Sequence, residues 1–578
     1  MLLGLALVIG GSAGGAAVPW LLRAGIDELR AGAPLTRLWT IGAIMIAATI
    51  GTGALRYLMR ELLNGLSRFV EYDLRNDLFA RLVTLDAGWY GRTRTGDIMA
   101  RLTNDLGAVR MASGPAIMYL TNTVAGGMFA VACMATISVR LTLLAIVPAL
   151  LIPVIMLRLG KLVHDRFEAV QEHVSTMTTH AQENIAGARI VRAYRQEASE
   201  IARFSALGEE YLRRNMALAR LNGVLHPSFG LLAGMGAVIV LGVGGSLALT
   251  GAITIGSFVA FGLYLGMLTW PLIALGWVIN LFQRGAASMA RLLEILDTAP
   301  SVATPGAPHP MPPIGDRGGR AIEFRGVGFF YPGTAERDGS PRWVLRDLSF
   351  RVEAGQTLGI AGAIGAGKSA LLDLIPRCFD PQEGEILLDG VSLRELPLAE
   401  LRREIGAVPQ ESLLFSEAIA SNLQYGLLRD DATAMRWAAG VAQLDRTIEE
   451  FTAGYETILG ERGINLSGGQ KQRATLARAL ARNPGVVLLD DALSAVDTHT
   501  EAEILRGLRT ALSGRTALIA SHRVSAIRDA DQIIVLDLGR IVEHGTHEAL
   551  LARRGRYWQL LNRQLLVESV EGEVAASP

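Results

Sequence analysis

Long stretches without a charged residue fill much of the first half of the chain, and they limit its possible folds more than any other feature. Asp, Glu, Lys and Arg are absent from Met111 to Val139, from Leu141 to Leu157 and from Leu221 to Gln283. A helix needs about 20 apolar residues to cross the hydrocarbon core of a bilayer, where every backbone polar group must be satisfied within the protein. These stretches therefore predict one, one and two membrane-spanning helices.

Two further apolar segments, Leu2 to Leu22 and Leu38 to Tyr57, bring the expected number of spans to six. The last charge-free stretch divides at a short turn-like break from Thr250 to Thr254. The first segment resembles a secretion signal in composition, but no basic region precedes it, so we interpret it as the first span. The sequence thus predicts an all-α transmembrane domain over residues 1–300.

Two long polar excursions, Glu61 to Arg110 and Arg158 to Arg220, lie between these spans on one side of the membrane. They contain many arginines, whereas the other side has few near the membrane, so the positive-inside rule places the excursions in the cytoplasm. Their amphipathic helical patterns predict helices that project from the bilayer. The middles of the spans lack acidic residues, which argues against a proton or metal-ion relay.

Substrate contacts in such spans would be apolar and aromatic. The candidates in the last span are Phe258, Phe261, Tyr264, Trp270 and Trp277, although aromatic residues in a span more often pack against protein or lipid. The composition excludes other classes of function. The 55 basic and 55 acidic residues give no net charge and form no basic stripe, so nucleic acid is not an expected partner.

The second half of the chain has the composition of a water-soluble α/β domain and contains a phosphate-binding loop. The loop runs from Gly362 to Ser369 in the pattern G-x-x-x-x-G-K-S, between an apolar strand and a helix. Backbone N–H groups of such a loop and the following helix N-terminus surround a polyphosphate. Lys368 is one of only three lysines in the chain, and its compact ammonium suits a phosphate held in a tight loop.

A second motif, Leu466-Ser467-Gly468-Gly469-Gln470, follows about a hundred residues later and opens a helix from Gln470 to Arg482. Its free N–H groups form a second phosphate site that must face ATP bound by another domain. Together with the loop, it resembles the signature of ABC-transporter ATPase domains over residues 320 to 565. The domain is then expected at 320–567, after a linker at 301–319 and before an acidic tail at 568–578.

This resemblance implies roles for individual residues. The residues implied to bind ATP are Tyr331 on adenine, Gly362, Gly365, Gly367, Lys368, Ser369 and Ala370 in the loop, and Ser467, Gly468, Gly469 and Gln470 in the signature. Mg²⁺ would be held by Ser369, Gln410 and Asp490, the last of which ends the apolar run Val486 to Asp490. Asp491, His522 and Gln410 would act in hydrolysis, and Ser494 to Asp497 resembles the D-loop. Taken alone, Tyr331 reads as a half-buried strand aromatic and His522 as a surface histidine.

The polar excursions resemble those of type IV ABC exporters. Gly91 to Asp97 is similar to the first coupling helix, and Glu183 to Arg189 to the second. The resemblance implies a half-transporter of a bacterial inner membrane with a cytoplasmic ATPase domain, which pairs with a second half-transporter and contacts lipids and a hydrophobic or amphipathic substrate. The two cysteines, Cys133 and Cys378, have no metal-ligand spacing.

One position departs from the family pattern. Where the family has a glutamate after the Walker B aspartate, this chain has Asp491, which is one methylene shorter. A catalytic base displaced by about 1 Å can lose on the order of 10²-fold in rate. An impaired base beside an intact signature resembles the degenerate-site half of bacterial heterodimeric multidrug exporters. The alternatives are a homodimeric lipid flippase in which Asp491 is a working base, and a regulatory membrane subunit that binds ATP.

Overall fold

The computed structural model of the protein describes all residues except 316–317, 335–338, 461–462, 464 and 576–578. The chain forms two compact units, one of Met1–Val83 with Gly96–Thr298 and the other of Thr84–Thr95 with Ala299–Pro578. The division differs from the predicted contiguous domain in one segment, because residues 84–95 belong to the second unit.

Local contacts explain why this segment joins the second unit. Asp86 accepts hydrogen bonds of 2.7 Å from both the backbone N–H and the hydroxyl of Ser301. A Cβ built on Gly88 would lie 3.6 Å from the side chains of both Pro332 and Phe379. Residues 84–95, which include the first part of the segment that resembles the first coupling helix, thus belong to the unit that contains the phosphate-binding loop.

The first unit is helical. The helices from the start of the chain to residue 297 are α1 (Leu2–Arg30), α2 (Leu35–Thr84), α3 (Ala87–Arg92), α4 (Thr95–Ala100), α5 (Leu106–Met111), α6 (Ile117–Ile137), α7 (Val139–Ala186), α8 (Ala188–Ala193), α9 (Glu197–Ile239), α10 (Gly245–Leu249) and α11 (Ile255–Asp297), of which α3 belongs to the second unit. Short π-helical segments join α4 to α5, α5 to α6 and α9 to α10. The helix break predicted from Thr250 to Thr254 is confirmed. The predicted second coupling segment covers the end of α7, Gly187 and the first two residues of α8.

Five helical segments in the described part of the chain are long and apolar enough to span a membrane. They are Leu2–Arg30, Leu35–Thr84, Thr95–Ile137, Glu197–Leu249 and Ile255–Asp297. The remaining predicted span, Leu141 to Leu157, lies at the start of α7, where the described residues show a shorter apolar stretch, Val139–Pro148. That span stays a prediction, because several of its side chains lie outside the described residues. Since α2, α7 and α9 continue far beyond their apolar parts, the predicted helical character of the polar excursions is confirmed, and their projection from the bilayer stays a prediction.

Helix packing in the first unit separates the predicted substrate contacts. Phe261 and Tyr264 are fully buried, and the Tyr264 hydroxyl donates to the Ala16 carbonyl at 2.7 Å. Trp270 and Trp277 are 70% and 44% exposed. The Tyr264 contact therefore packs α11 against α1. Phe258 is half-buried, and the Trp277 ring packs edge-on against Tyr119 at 5.0 Å, so Trp270 is the most exposed of the five candidates.

The second unit is an α/β domain. Its strands are β1 (Ile322–Phe329), β2 (Leu345–Val352), β3 (Thr357–Gly362), β4 (Glu383–Leu388), β5 (Val391–Ser392), β6 (Ile405–Val408), β7 (Val486–Asp490), β8 (Thr516–Ala520), β9 (Gln532–Asp537) and β10 (Arg540–Gly545). Its remaining helices are α12 (Lys368–Leu374), α13 (Leu398–Arg403), α14 (Ile419–Gln424), α15 (Ala432–Val441), α16 (Asp445–Glu449), α17 (Gly468–Ala481), α18 (Thr498–Ala511), α19 (His547–Arg553) and α20 (Arg556–Ala575). The expected acidic tail is therefore helical as far as Ala575, and residues 576–578 lie outside the described part.

The described part of this unit contains two β-sheets. One has the order β2-β1-β4-β5, with antiparallel pairing throughout. The other has the order β10-β9-β3-β8-β7-β6, in which β9 to β6 run parallel. The central strands β3 and β7 are almost entirely buried, so their continuous apolar sequences are those of strands covered on both faces. Their carboxyl ends bring the phosphate-binding loop and Asp490 to the same edge of the sheet.

Candidate nucleotide-binding site

The phosphate-binding loop connects β3 to α12 and has the backbone geometry that its glycines permit. Gly367 has a φ of 102°, and a Cβ there would lie 2.6 Å from the Leu345 side chain. Only glycine fits this position without displacing its neighbours. Lys368 is buried, and its Nζ donates to the carbonyl oxygens of Gly362 and Ala363 at 2.9 and 3.2 Å. The loop thus holds its ammonium group against its own backbone.

Two carboxyl groups lie beside the loop. Asp490 ends β7 and is 7% exposed, and its Oδ1 has no hydrogen-bond partner within the described residues. Burial raises the pKa of Asp490, while the nearby Ser369 hydroxyl lowers it. Asp373, one turn after Ser369 on α12, has a pKa raised to about 6 by burial and then by the charge of Asp490. A buried, unpartnered carboxylate oxygen next to a hydroxyl is a set of hard oxygen donors that fits Mg²⁺.

Asp491 is held by the residue predicted to be the switch histidine. Its backbone lies in the left-handed region with a φ of 44°, which aspartate tolerates better than most side chains. Its Oδ1 accepts the backbone N–H of His522 at 3.0 Å, and the His522 Nδ1 lies 2.8 Å from the same oxygen. The structure therefore brings together Asp491 and His522, two of the three residues that the sequence predicted for hydrolysis, and it directs one oxygen of Asp491 toward its own chain.

Other predicted site residues occupy different environments. Tyr331 packs edge-on against Phe329 and Phe379, with ring centroids 5.0 and 5.3 Å apart, so its ring is partly engaged in the core. Burial raises the pKa of Tyr331, and the charges of Asp373 and Asp490 raise it further. Ala370 is 2% exposed within the apolar core, so its methyl group has a packing role there. Gln410 follows β6 and is exposed.

The signature residues form the N-terminus of α17. Ser467 caps this helix in a capping box, because its Oγ accepts the Gln470 N–H while Gln470 Oε1 accepts the Ser467 N–H at 2.8 Å. A Cβ on Gly469 would lie 2.7 Å from the Ala495 carbonyl oxygen. The second glycine of the signature is thus required by close packing on the chain's own D-loop, whatever ligand it also meets.

Several polar residues of this region were not predicted from the sequence. Asp373, Gln472 and the ion pair of Arg523 with the buried Glu501 carry no motif that would single them out. Gln472 lies two residues after the signature, and its helical spacing gives no sign of what its side chain contacts. Only the packing of α17 against the end of β7 shows it.

Comparisons with known proteins agree with this architecture. The family described as ABC transporter transmembrane region matches residues 1–272, and the family described as ABC transporter matches residues 345–494. A relative from Bacillus subtilis (strain 168), "Probable multidrug resistance ABC transporter ATP-binding/permease protein YheI", is 38% identical over 96% of this chain and 94% of its own length. The chain is an ABC exporter half-transporter.

Two further relatives show the range of named activities in this family. The "Multidrug resistance-like ATP-binding protein MdlA" of Escherichia coli (strain K12) is 35% identical over 92% of this chain and 88% of its own length. The "ATP-dependent lipid A-core flippase" of Syntrophus aciditrophicus (strain SB) is 32% identical over 96% of this chain and 90% of its own length.

The fold is shared with a solved exporter structure. "Structure of a bacterial Atm1-family ABC exporter with ATP bound" covers 97% of this chain and 98% of its own, with a TM-score of 0.78 and 28% identity. This ABC half-transporter is thus a multi-pass membrane protein with a cytoplasmic ATPase domain that binds ATP, as predicted.

Proposed function

We propose that this half-transporter is the weakly hydrolysing half of a heterodimeric exporter of hydrophobic or amphipathic compounds. The observation that carries the proposal is the environment of Asp491. This side chain is one methylene shorter than the glutamate of the family pattern, and its Oδ1 is already engaged by the backbone N–H and the ring of His522. A general base must reach the proton that it removes, so a short carboxylate held against its own chain is a poor base.

The intact signature supports the proposed pairing with a second half-transporter. The Ser467 capping box orders the start of α17, so its N-terminal N–H groups are held in place for a phosphate. That phosphate belongs to ATP on the partner, which we propose is a different half-transporter with a glutamate base. Two relatives are named for multidrug resistance, in line with drugs as substrates.

The residues of the candidate site fit ATP and Mg²⁺. The loop glycines with Lys368 would surround the phosphates, and Tyr331 would face adenine. Ser369 and Asp490 would hold Mg²⁺, since Asp490 has a buried oxygen without a hydrogen-bond partner in the described part of the chain. Gln410 would approach the same ion from the end of β6. The metal supplies charge neutralisation at the phosphates, while the chain supplies binding and orientation.

A homodimeric lipid flippase is the second candidate. It is favoured by the relative named as a lipid A-core flippase and by the same His522 contact, since a histidine can also orient a working carboxylate. In this case Asp491 would be the base at two equivalent sites.

The rate of ATP hydrolysis by the chain alone separates the two. The tagged chain is purified from its native membrane to identify any partner, and separately after expression alone, in one lipid preparation. Slow or absent hydrolysis alone, with fast hydrolysis by the assembly with a second chain, is the expected result. Brisk hydrolysis by the lone wild-type chain would overturn the heterodimer proposal.

A further inference from the structure

The D-loop, residues Ser494 to Asp497, is held by a buried amide on the signature helix. Gln472 lies on α17 and is 6% exposed. Its Nε2 donates to the Ser494 hydroxyl at 2.8 Å, and its Oε1 accepts the Ala495 backbone N–H at 2.9 Å. Because a backbone N–H can only donate, the Ala495 contact fixes the amide orientation, with Oε1 toward Ala495 and Nε2 toward Ser494.

The same amide also approaches the end of β7. Gln472 Nε2 lies 3.4 Å from the carbonyl oxygen of Asp491, a residue whose side chain meets His522. The Gln472 side chain therefore forms hydrogen bonds both with the D-loop and with the backbone of Asp491. A buried polar group satisfied in this way fixes the relative position of the segments that it joins.

The opposite side of the D-loop is held by the switch-histidine segment. Arg523, which follows His522, donates to the Ser494 carbonyl at 3.2 Å and forms an ion pair with Glu501 on α18. Glu501 is 4% exposed and also accepts the Ser525 hydroxyl at 3.1 Å. The D-loop backbone thus lies between α17 on one side and the His522 segment on the other.

The start of the signature helix also packs closely on the D-loop. Gly469 approaches the Ala495 carbonyl so closely that a Cβ would lie 2.7 Å from it. A displacement of the start of α17 toward the D-loop would therefore push on Ala495, whose backbone N–H is bound by Gln472.

We propose that Gln472 is a positioning residue that couples the signature helix to this chain's own Asp491–His522 pair by holding the D-loop between them. The signature meets nucleotide bound to the other half of the exporter, whereas the Asp491–His522 pair belongs to this chain's own site. Gln472 touches neither nucleotide in this arrangement. Its effect is on the rate of turnover and not on nucleotide affinity. Which half of the exporter hydrolyses faster rests on the proposed function, but the coupling itself does not.

The test compares two substitutions that differ in hydrogen bonding and in stability. Gln472→Met keeps the length and loses every hydrogen bond. Gln472→Glu keeps two acceptor oxygens, to which the Ala495 N–H and the Ser494 hydroxyl can both donate, but it loses the donor to the Asp491 carbonyl. It therefore tests the D-loop contacts separately from the contact with β7. Burying a carboxylate costs more than burying a thioether, so the thermal midpoint should be lower for Gln472→Glu than for Gln472→Met. Activity should follow the opposite order.

The variants are measured in the full-length chain, in the assembly in which the wild type hydrolyses ATP. We expect Gln472→Met to lower turnover about tenfold or more and Gln472→Glu to lower it by a smaller factor, because loss of the D-loop contacts also shifts the start of α17, which completes the site on the other half of the exporter. Photolabelling of this chain by azido-ATP should be unchanged in both. Thr475→Val is the matched control, because Thr475 is buried on the same helix and its hydroxyl, within the described residues, donates to the Lys471 carbonyl alone. It should stay within about twofold of wild type.

Three results would overturn the proposal. The first is turnover by Gln472→Met within about twofold of wild type. The second is lower turnover by Gln472→Glu than by Gln472→Met, in parallel with its lower thermal midpoint, and the third is an equal loss of turnover in Thr475→Val. Each is distinct from failure of the proposed function, which is read from the rate of the lone wild-type chain. A homodimer would still show the predicted order of the two Gln472 variants.

Discussion

At the scale of single residues, the buried charges around the phosphate-binding loop are arranged for an anionic ligand with a cation. Lys368 is buried with its ammonium group on two backbone carbonyls, which offset its charge only partly. Asp490 is buried with one oxygen unpaired in the described part of the chain. Uncompensated charges of both signs at one sheet edge are costly for folding alone, so they point to a ligand that carries both charges.

Replacing Lys368 by alanine is expected to weaken ATP binding to this chain about tenfold or more, because its ammonium is the compact positive charge closest to the loop. Photolabelling of the chain with azido-ATP measures this directly. Lys471→Ala is the control, since it removes the same type of residue from the same unit without touching the loop. Unchanged labelling of Lys368→Ala would contradict the assignment of the loop.

Asp373 gives a pH-dependent prediction. Its pKa is raised to about 6 in the folded protein from an ordinary value near 3.8, first by burial and then by Asp490. A raised carboxyl pKa means that the folded state binds the proton more tightly than the unfolded state does. Ionisation of Asp373 therefore lowers the free energy of unfolding, and this loss is absent below about pH 4 and complete above about pH 6. Asp373→Asn should therefore raise the free energy of unfolding by about 1–3 kcal/mol at pH 7.5.

The measurement is the thermal midpoint of the metal-free chain at pH 7.5 and pH 5. The gain from Asp373→Asn should be clearly smaller at pH 5, because the wild-type carboxyl is then largely protonated. An equal gain at both pH values would show that the charge of Asp373 is not the cause.

At the scale of secondary-structure elements, α17 combines the signature at its N-terminus with contacts to the D-loop on its buried side. Its first residues form the signature, and its buried side holds the D-loop through Gly469 and Gln472. The helix N-terminus is ordered by the Ser467 capping box, so its N–H groups are aligned before any phosphate arrives. A substitution at the start of α17 should therefore affect turnover without disturbing nucleotide on the chain's own loop.

Ser467→Arg tests this separation. We expect it to abolish ATP turnover by the assembly while azido-ATP labelling of this chain persists, because the arginine obstructs the site that α17 completes on the other half. Loss of the cap alone costs about 1 kcal/mol. Thr546→Ala, which removes the cap of α19, controls for that loss. Normal turnover by Ser467→Arg would mean that this signature does not complete a nucleotide site.

The elements themselves were largely predictable, and the side-chain network was not. The break from Thr250 to Thr254, strand β7 and the start of α17 follow from local patterns of apolar residues, glycines and caps. The contact of Asp491 with His522 was not predictable, because it joins segments 31 positions apart through a left-handed backbone. Gln472, Glu501 and Asp373 depend likewise on tertiary packing, and residues 84–95 joined the second unit for the same reason.

At the scale of the whole molecule, two halves of an exporter share each nucleotide site, so the chemistry of one chain cannot be judged in isolation. In the proposed assembly, this chain contributes a short carboxylate to its own site and a complete signature to the other. In the proposed heterodimer, the two nucleotide sites therefore hydrolyse ATP at unequal rates. The consequence is an asymmetry between equivalent substitutions in the two chains.

Asp491→Asn removes the candidate base and keeps a side chain of the same size that can still meet His522. In the proposed heterodimer it should change turnover of the assembly by less than about threefold, whereas replacing the partner's glutamate should cost on the order of 10²-fold or more. In a homodimer with Asp491 as the base, Asp491→Asn alone should stop both hydrolysis and transport.

Asp491→Glu adds the missing methylene, and in the heterodimer it should raise hydrolysis at this chain's own site when the partner's base is removed. A gain of function in that double variant, measured against the partner's single variant in the same lipid, would locate the weakness in the length of one side chain; no gain would place it elsewhere in the site.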